Sequence, residues 1–251
     1  MKSQFTKAAL AVALIASFGA AQADKGDNNS LLSSVSGDVQ VSAASAQTRG
    51  TAAPGAGYDT AGTESWDGIG SPNNTVIELN IGEGNVVTGA SFDVSIMTSG
   101  NGSWCSEATV LMSNSDGEAD PNGILLSPAA SVSSTCDAGQ EFSSGGVIDF
   151  GDNSLPDIQP NADGILRLEF HESFDDVADD IDAFWGPHSA PAAVQGIGLA
   201  CSNQQVCDIV ASGGTVPGTY TVPTMNAFGI VTLSIMFMIA ATVVFRVRSG
   251  H

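Results

Sequence analysis

Val86-Val87-Thr88-Gly89-Ala90-Ser91-Phe92-Asp93-Val94-Ser95-Ile96-Met97 is the stretch that decides the fold. From Phe92 onward, Phe92, Val94 and Ile96 fall on one face, and Asp93 and Ser95 on the other. A period of two is that of a strand with one face buried. Upstream, residues 75–81 alternate in the same way with Val76 off phase, and Gly82-Glu83-Gly84-Asn85 supplies a turn. Downstream, residues 108–112, 147–150 and 165–170 read as further strands, and 193–201 closes the set. In 165–170, Ile165, Leu166, Leu168 and Phe170 point inward and leave Arg167 and Glu169 outward. Between residues 24 and 221 no stretch has a convincing amphipathic helical pattern. Residues 174–185 hold five aspartates and read as a loop or short turn. Short strands separated by Gly, Asn, Ser and Pro turns define an all-β class, an antiparallel β-sandwich of jelly-roll type.

The sandwich is expected over residues 66–211. Ahead of it, 24–65 is rich in Ser, Ala and Gly and reads as a flexible leader; behind it, 212–221 reads as a linker. The N-terminus has the layout of a signal peptide over residues 1–23. Lys2 and Lys7 form a basic start, 8–18 is an apolar run too short to span, and Ala21-Gln22-Ala23 fits the small-x-small cleavage rule. The mature chain is then expected to begin at Asp24. Residues 226–245 carry no charge, and ten of these twenty are Phe, Ile, Val or Leu. As a helix this length crosses about 30 Å of hydrocarbon. Arg246 and Arg248 follow at once, so the positive-inside rule places the C-terminus in the cytoplasm.

The order Val222-Pro223-Thr224-Met225, apolar span, then Arg246 and Arg248 resembles the IPTL-CTERM sorting signal over residues 222–248, within a tail of residues 222–251. That signal is a relative of the PEP-CTERM signals handled by exosortases in Gram-negative bacteria. Val222 and Met225 stand where the family name has Ile and Leu, and Ala227-Phe228-Gly229 where a Glu-Trp-Gly-like triplet is frequent. The resemblance implies an exported chain, held at the inner membrane in transit, processed by an exosortase-like enzyme, and delivered to the cell surface or extracellular matrix. The strings from Gly102 to Ala108 and from Leu166 to Asp176 resemble those of uncharacterised exported proteins with the same class of tail. These are similar to jelly-roll sandwiches of the carbohydrate-binding-module or convertase P-domain kind. That likeness implies a fold and no activity.

All 27 acidic residues lie between 24 and 221, opposed there only by Lys25, Arg49 and Arg167. Such a surface repels nucleic acid and anionic lipid, which are excluded as partners, and attracts divalent cations. Adaptation to a saline medium is the plainer reason for it. Cys105, Cys136, Cys201 and Cys207 are even in number and lie in an exported segment, where disulfides are the default. Three pairings are possible. Cys105–Cys136 and Cys201–Cys207 are preferred because each closes a local loop. A zinc site is not expected, since there is no C-x-x-C and no His near a Cys in sequence.

Catalytic signatures are scarce. No G-x-S-x-G occurs, no Lys follows Lys25, and only His171 and His188 lie between the two termini. An enzyme is not expected, and an extracellular hydrolase ranks third among the functional readings. Two acidic constellations have the oxygen-rich character of Ca²⁺ sites. The first is Asp116, Glu118, Asp120 and Asn122, with Gly123 after it. It matches the first half of an EF-type loop, but the twelfth position is Ala129, which leaves an open Ca²⁺ loop or a plain polar turn. The second is Asp175, Asp176, Asp179, Asp180 and Asp182, with Glu172 before and Trp185 after. These aspartates repel one another unless solvated or bridged by a cation. Trp185 is then a candidate sugar-stacking platform, with Trp104 and Trp66 as alternatives. The expected role is structural or adhesive, in the envelope or extracellular polysaccharide. A Ca²⁺-dependent carbohydrate-binding module is the second reading.

Overall fold

A computed structural model describes residues 30–42, 45–49, 57–176, 178–187 and 196–211. The signal peptide, the linker, the Val222–Met225 box, the apolar span, the arginine tail and His188 lie outside the described residues. Among the described residues, no helix is long and apolar enough to cross a membrane.

Two antiparallel sheets share one hydrophobic core. The first contains β1 (Ser30–Ser34), β2 (Gln40–Ser42), β6 (Thr75–Asn80), β8 (Ala108–Asn114), β9 (Ile124–Leu126) and β12 (Ile165–Glu172), in the order β2-β1-β9-β8-β12-β6. The second contains β3 (Thr48–Arg49), β4 (Gly57–Tyr58), β5 (Thr63–Ser65), β7 (Val87–Thr98), β10 (Gln140–Ser143), β11 (Val147–Asp149), β13 (Ala183–Pro187) and β14 (Gly196–Cys201). The all-β expectation therefore holds.

β7 organises the second sheet. Its twelve residues pair along one edge with β10, where Phe142 faces Val94, and then with β11, where Ile148 faces Ala90. Along the other edge it pairs with β13, where Trp185 faces Ile96, and with β14, where Leu199 faces Ala90. Phe92, Val94 and Ile96 are buried, as their alternation requires, and so are Leu166, Leu168 and Phe170 of β12. At about 1.5–3 kcal/mol for each large apolar side chain, such burial is the main favourable term of the fold. Trp185 meets Phe170 edge-to-face with ring centroids 5.1 Å apart. β14 approaches β4 so closely that a side chain is impossible at its first residue. Gly196 has φ +94°, and a Cβ there would lie 1.7 Å from the Tyr58 carbonyl oxygen.

Both disulfides pair as expected. Cys105–Cys136 has a Cα–Cα separation of 5.8 Å and Cys201–Cys207 one of 6.3 Å, within disulfide reach.

Several expectations need correction. The stretch 24–65 is not simply a leader, because β1, β2, β3, β4 and β5 belong to the sheets. Leu31 and Leu32 of β1 are both buried although adjacent. The pairing with β2 shifts register between Ser30 and Leu32, and that irregularity removes the alternation that would have marked a strand. The chain also contains a helix, α1 (Gln204–Ala211). Its eight residues make just over two turns, and Cys207 and Val210, three positions apart, are buried on one face. Finally, Glu169 lies on the face of β12 opposite the core but is fully buried. It accepts hydrogen bonds from the Gly70 amide (2.6 Å), Asn74 Nδ2 (3.2 Å) and Arg167 Nη1 (2.6 Å), so the 66–74 loop covers this face.

Candidate functional site

β12 carries the argument from fold to site. Its core-facing residues are Leu166, Leu168 and Phe170, and the period of two puts Glu172 next in that row. A carboxylate thus ends an otherwise apolar row, between the sheets. Glu172 is 1% exposed. Its Oε1 accepts a hydrogen bond from the hydroxyl of Ser65 on β5, the opposite sheet, and Trp185 Nε1 donates to the same Ser65 oxygen at 3.3 Å. Its Oε2 is buried without a hydrogen-bond donor. Burial pushes the Glu172 carboxyl well above the usual range; the Ser65 bond offsets part of this, while like charge from Asp182, Glu107 and Asp176 adds to it.

Asp182 is the second member. It precedes β13 and is fully buried. Its backbone joins the strands on either side, the amide donating to Ser65 O and the carbonyl accepting from the Ser99 amide, both at 3.0 Å. Oδ1 accepts from Asn101 Nδ2 and Ser103 Oγ, both at 2.7 Å, while Oδ2 has no hydrogen-bond donor. Burial raises this carboxyl to about 6 against the two hydrogen bonds, with like charge from Asp175 and Asp176 acting in the same direction as burial.

Glu107 completes the group from the 3₁₀ turn Cys105–Glu107 ahead of β8. It is 1% exposed, and its Oε2 accepts from the Trp104 amide at 2.6 Å. Sequence reasoning missed Glu107, Ser65, Asn101 and Ser103. The one signal for Glu107 is local: it is a lone carboxylate immediately before the strand read over residues 108–112. Nothing local marks the other three.

The five aspartates of the second constellation do not act as one set. Asp175 and Asp176 lie near enough to Asp182 to raise it. Asp179 and Asp180 are exposed, and each carboxylate accepts a hydrogen bond of its own. Asp179 adopts a left-handed conformation, φ +63°; its amide donates to Asp67 Oδ1 at 2.8 Å and its Oδ1 accepts from Asn73 Nδ2 at 3.2 Å. Asp180 Oδ1 accepts from the Ile181 amide at 2.9 Å. Asp67 anchors this end of the loop. Burial opposes its ionisation, but hydrogen bonds from Ser71, the Asp179 amide and Asn73 outweigh that and hold its carboxyl below the usual range.

The first constellation folds differently from an open cation loop. Asp120 is buried, and both its oxygens take backbone amides, of Asn114 at 2.8 Å and Asn122 at 2.9 Å. Asp116 and Glu118 are exposed on the turn, and Asn122 is half-buried. This is a turn stabilised by its own carboxylate. Among the described residues, no group of three or more His, Cys, Asp or Glu side chains is arranged to hold a metal ion.

Trp185 is corrected as a platform: at 2% exposure, between Phe170 and Ser65, it is a core residue. Trp66 and Trp104 are half-buried. Trp66 Nε1 donates to Glu64 Oε2 at 3.2 Å. His171 lies on the outer face of β12, and burial lowers its pKa. Its Nδ1 is 3.1 Å from Glu172 O.

Comparisons of the chain with models of protein families, with curated proteins and with solved structures find no match.

Proposed function

We propose that this is an exported, surface- or matrix-associated structural or adhesive β-sandwich of a Gram-negative envelope. Its tail, residues 222–251, is processed by an exosortase-like enzyme after transient anchoring in the inner membrane. The observation that carries the reading is the pair of disulfides, Cys105–Cys136 and Cys201–Cys207, in a chain with no free cysteine among the described residues. Disulfides of this kind persist in oxidising compartments. The two-sheet architecture supports kinship with jelly-roll sandwiches. A non-catalytic role is supported by the burial of Glu107, Glu172 and Asp182, each at most 1% exposed, which keeps substrate from their oxygens.

A second reading, a Ca²⁺-dependent module for extracellular polysaccharide, is favoured by one observation. The two half-buried tryptophans, Trp66 and Trp104, each follow a serine whose hydroxyl donates to a buried carboxylate: Ser65 to Glu172 and Ser103 to Asp182. An exposed aromatic beside a bound cation is the arrangement that such a module would present.

The test is the full chain expressed in an exosortase-bearing Gram-negative host, fractionated with thiols blocked, and weighed intact. The expected surface pool begins at Asp24, ends near Val222–Met225 and contains no free thiol. Peptides holding Phe245 and Arg248 in that pool overturn the sorting reading. A cytoplasmic pool with four blocked thiols overturns export.

A further inference from the structure

We infer that the end of the core between the two sheets is a binding site for one hard divalent cation, of Ca²⁺ chemistry, with Glu172 and Asp182 as its anionic ligands. Of the aspartates that the sequence suggests, Asp182 is the ligand here, while Asp179 and Asp180 are exposed and bond to Asn73 and the Ile181 amide. The inference stands whether or not the chain is exported.

Two independent observations converge. First, Glu172 and Asp182 are 1% and 0% exposed, and each has one oxygen fixed by protein donors and the other without any. Hydroxyl and amide donors that orient one carboxylate oxygen while the other is held bare are what surrounding residues do for metal ligands. Second, among the described residues the charges acting on the pair are all negative, and Arg49 lies on β3, where it pairs with Val147 of β11. The described residues contain no lysine, and Arg167 pairs with Glu169 at 2.6 Å on the opposite face of β12. Glu107, Asp175 and Asp176 add further negative charge around the pair. A buried, like-charged pair of this kind persists when something neutralises it. Two carboxylates supply the charge, and the hydroxyl oxygens of Ser65 and Ser103 with water supply neutral ligands. Ca²⁺ accepts six to eight such oxygens in variable geometry, so a third carboxylate is not required.

The site spans both sheets. Glu172 belongs to β12 of the first, while Ser65 and the Asp182 backbone belong to the second. A bound cation therefore ties the 173–182 segment to both.

The experiment uses the full chain in mild detergent at pH 7.5, stripped with EDTA and dialysed. CaCl₂ at millimolar concentration is expected to raise the melting temperature by several degrees, and NaCl at matched ionic strength much less. Terbium is the direct probe. Trp185, which shares Ser65 with Glu172, should sensitise its emission, and CaCl₂ should quench that signal by competition. Glu172→Gln and Asp182→Asn are each expected to abolish the calcium-dependent shift, whereas Asp179→Asn, Asp180→Asn and Asp116→Asn retain it. If either core variant fails to fold, terbium titration of the unmodified chain still decides. Equal shifts with CaCl₂ and NaCl, no sensitised terbium emission, or a calcium response that survives both core substitutions overturns the site.

Discussion

The hydroxyl of Ser65 donates to the carboxylate of Glu172 across the gap between the sheets, and the two residues are 107 positions apart in sequence. The contact holds β5 and β12 together where the apolar core ends.

Removing that donor leaves a buried carboxylate oxygen without its partner. Ser65→Ala is therefore expected to cost about 1–3 kcal/mol, read from urea unfolding. Ser65→Thr, which keeps the hydroxyl, should cost less. A loss below about 0.5 kcal/mol for Ser65→Ala would show that the bond contributes nothing net.

Stability should fall as pH rises through the mildly acidic range in EDTA. The folded Asp182 carboxyl titrates at about 6, above its ordinary 3.8. Between those values the folded state holds the proton that the unfolded state has released, so folding is favoured below the window and loses that advantage across it. Glu172 is raised too and acts with the same sign; Glu107, Asp175 and Asp176 face the pair and strengthen it. The change for Asp182 is on the order of 2–3 kcal/mol. Asp182→Asn should flatten the melting-temperature profile between about pH 4 and 6. An unchanged slope in that variant would refute the assignment.

Asp67 works in the opposite direction. Its carboxyl is held low by Ser71, the Asp179 amide and Asn73, so its contribution is present at neutral pH and lost as pH falls through the folded value. Asp67→Ala should release the 178–182 segment. Hydrogen exchange of the Asp179 amide is expected to rise by at least tenfold, while amides of β7 change little.

The longer disulfide should matter more than the shorter one. Cys105–Cys136 spans 31 residues and Cys201–Cys207 spans 6. In the chain-entropy account the first is worth about 3–4 kcal/mol, and the second less. Thermal unfolding of the two paired Cys→Ala variants checks the order; a greater loss on removing Cys201–Cys207 would reverse it.

The strands with regular alternation, β7 and β12, were legible in the sequence because period two and turn residues are local signals. β1 was not, since its register irregularity buries two adjacent leucines. β5 is three residues long, and although it alternates buried and half-buried, Thr63, Glu64 and Ser65 are all polar and leave no hydrophobic signal. The site was half legible. The aspartate run pointed to the correct segment and included Asp182, but it could not separate Asp182 from the exposed Asp179 and Asp180, because which carboxylate turns inward is decided by tertiary partners such as Asn101, Ser103 and Asp67. Ser65 reaches the site through sheet pairing and Glu107 through the turn ahead of β8, and no sequence spacing records either placement.

β7 also fixes how the chain must fold. Its partners on one edge start at Gln140, which pairs with Ile96, and those on the other edge start at Ala183, which pairs with Thr98. Such distant pairings are slow, because loop closure precedes any gain from contact. The Cys105–Cys136 bridge lies inside the first of these loops and removes most of its length. Oxidation before strand pairing would thus shorten the search of β10 for β7, so the order of thiol oxidation and sheet assembly sets how long the edges of β7 stay open to other chains.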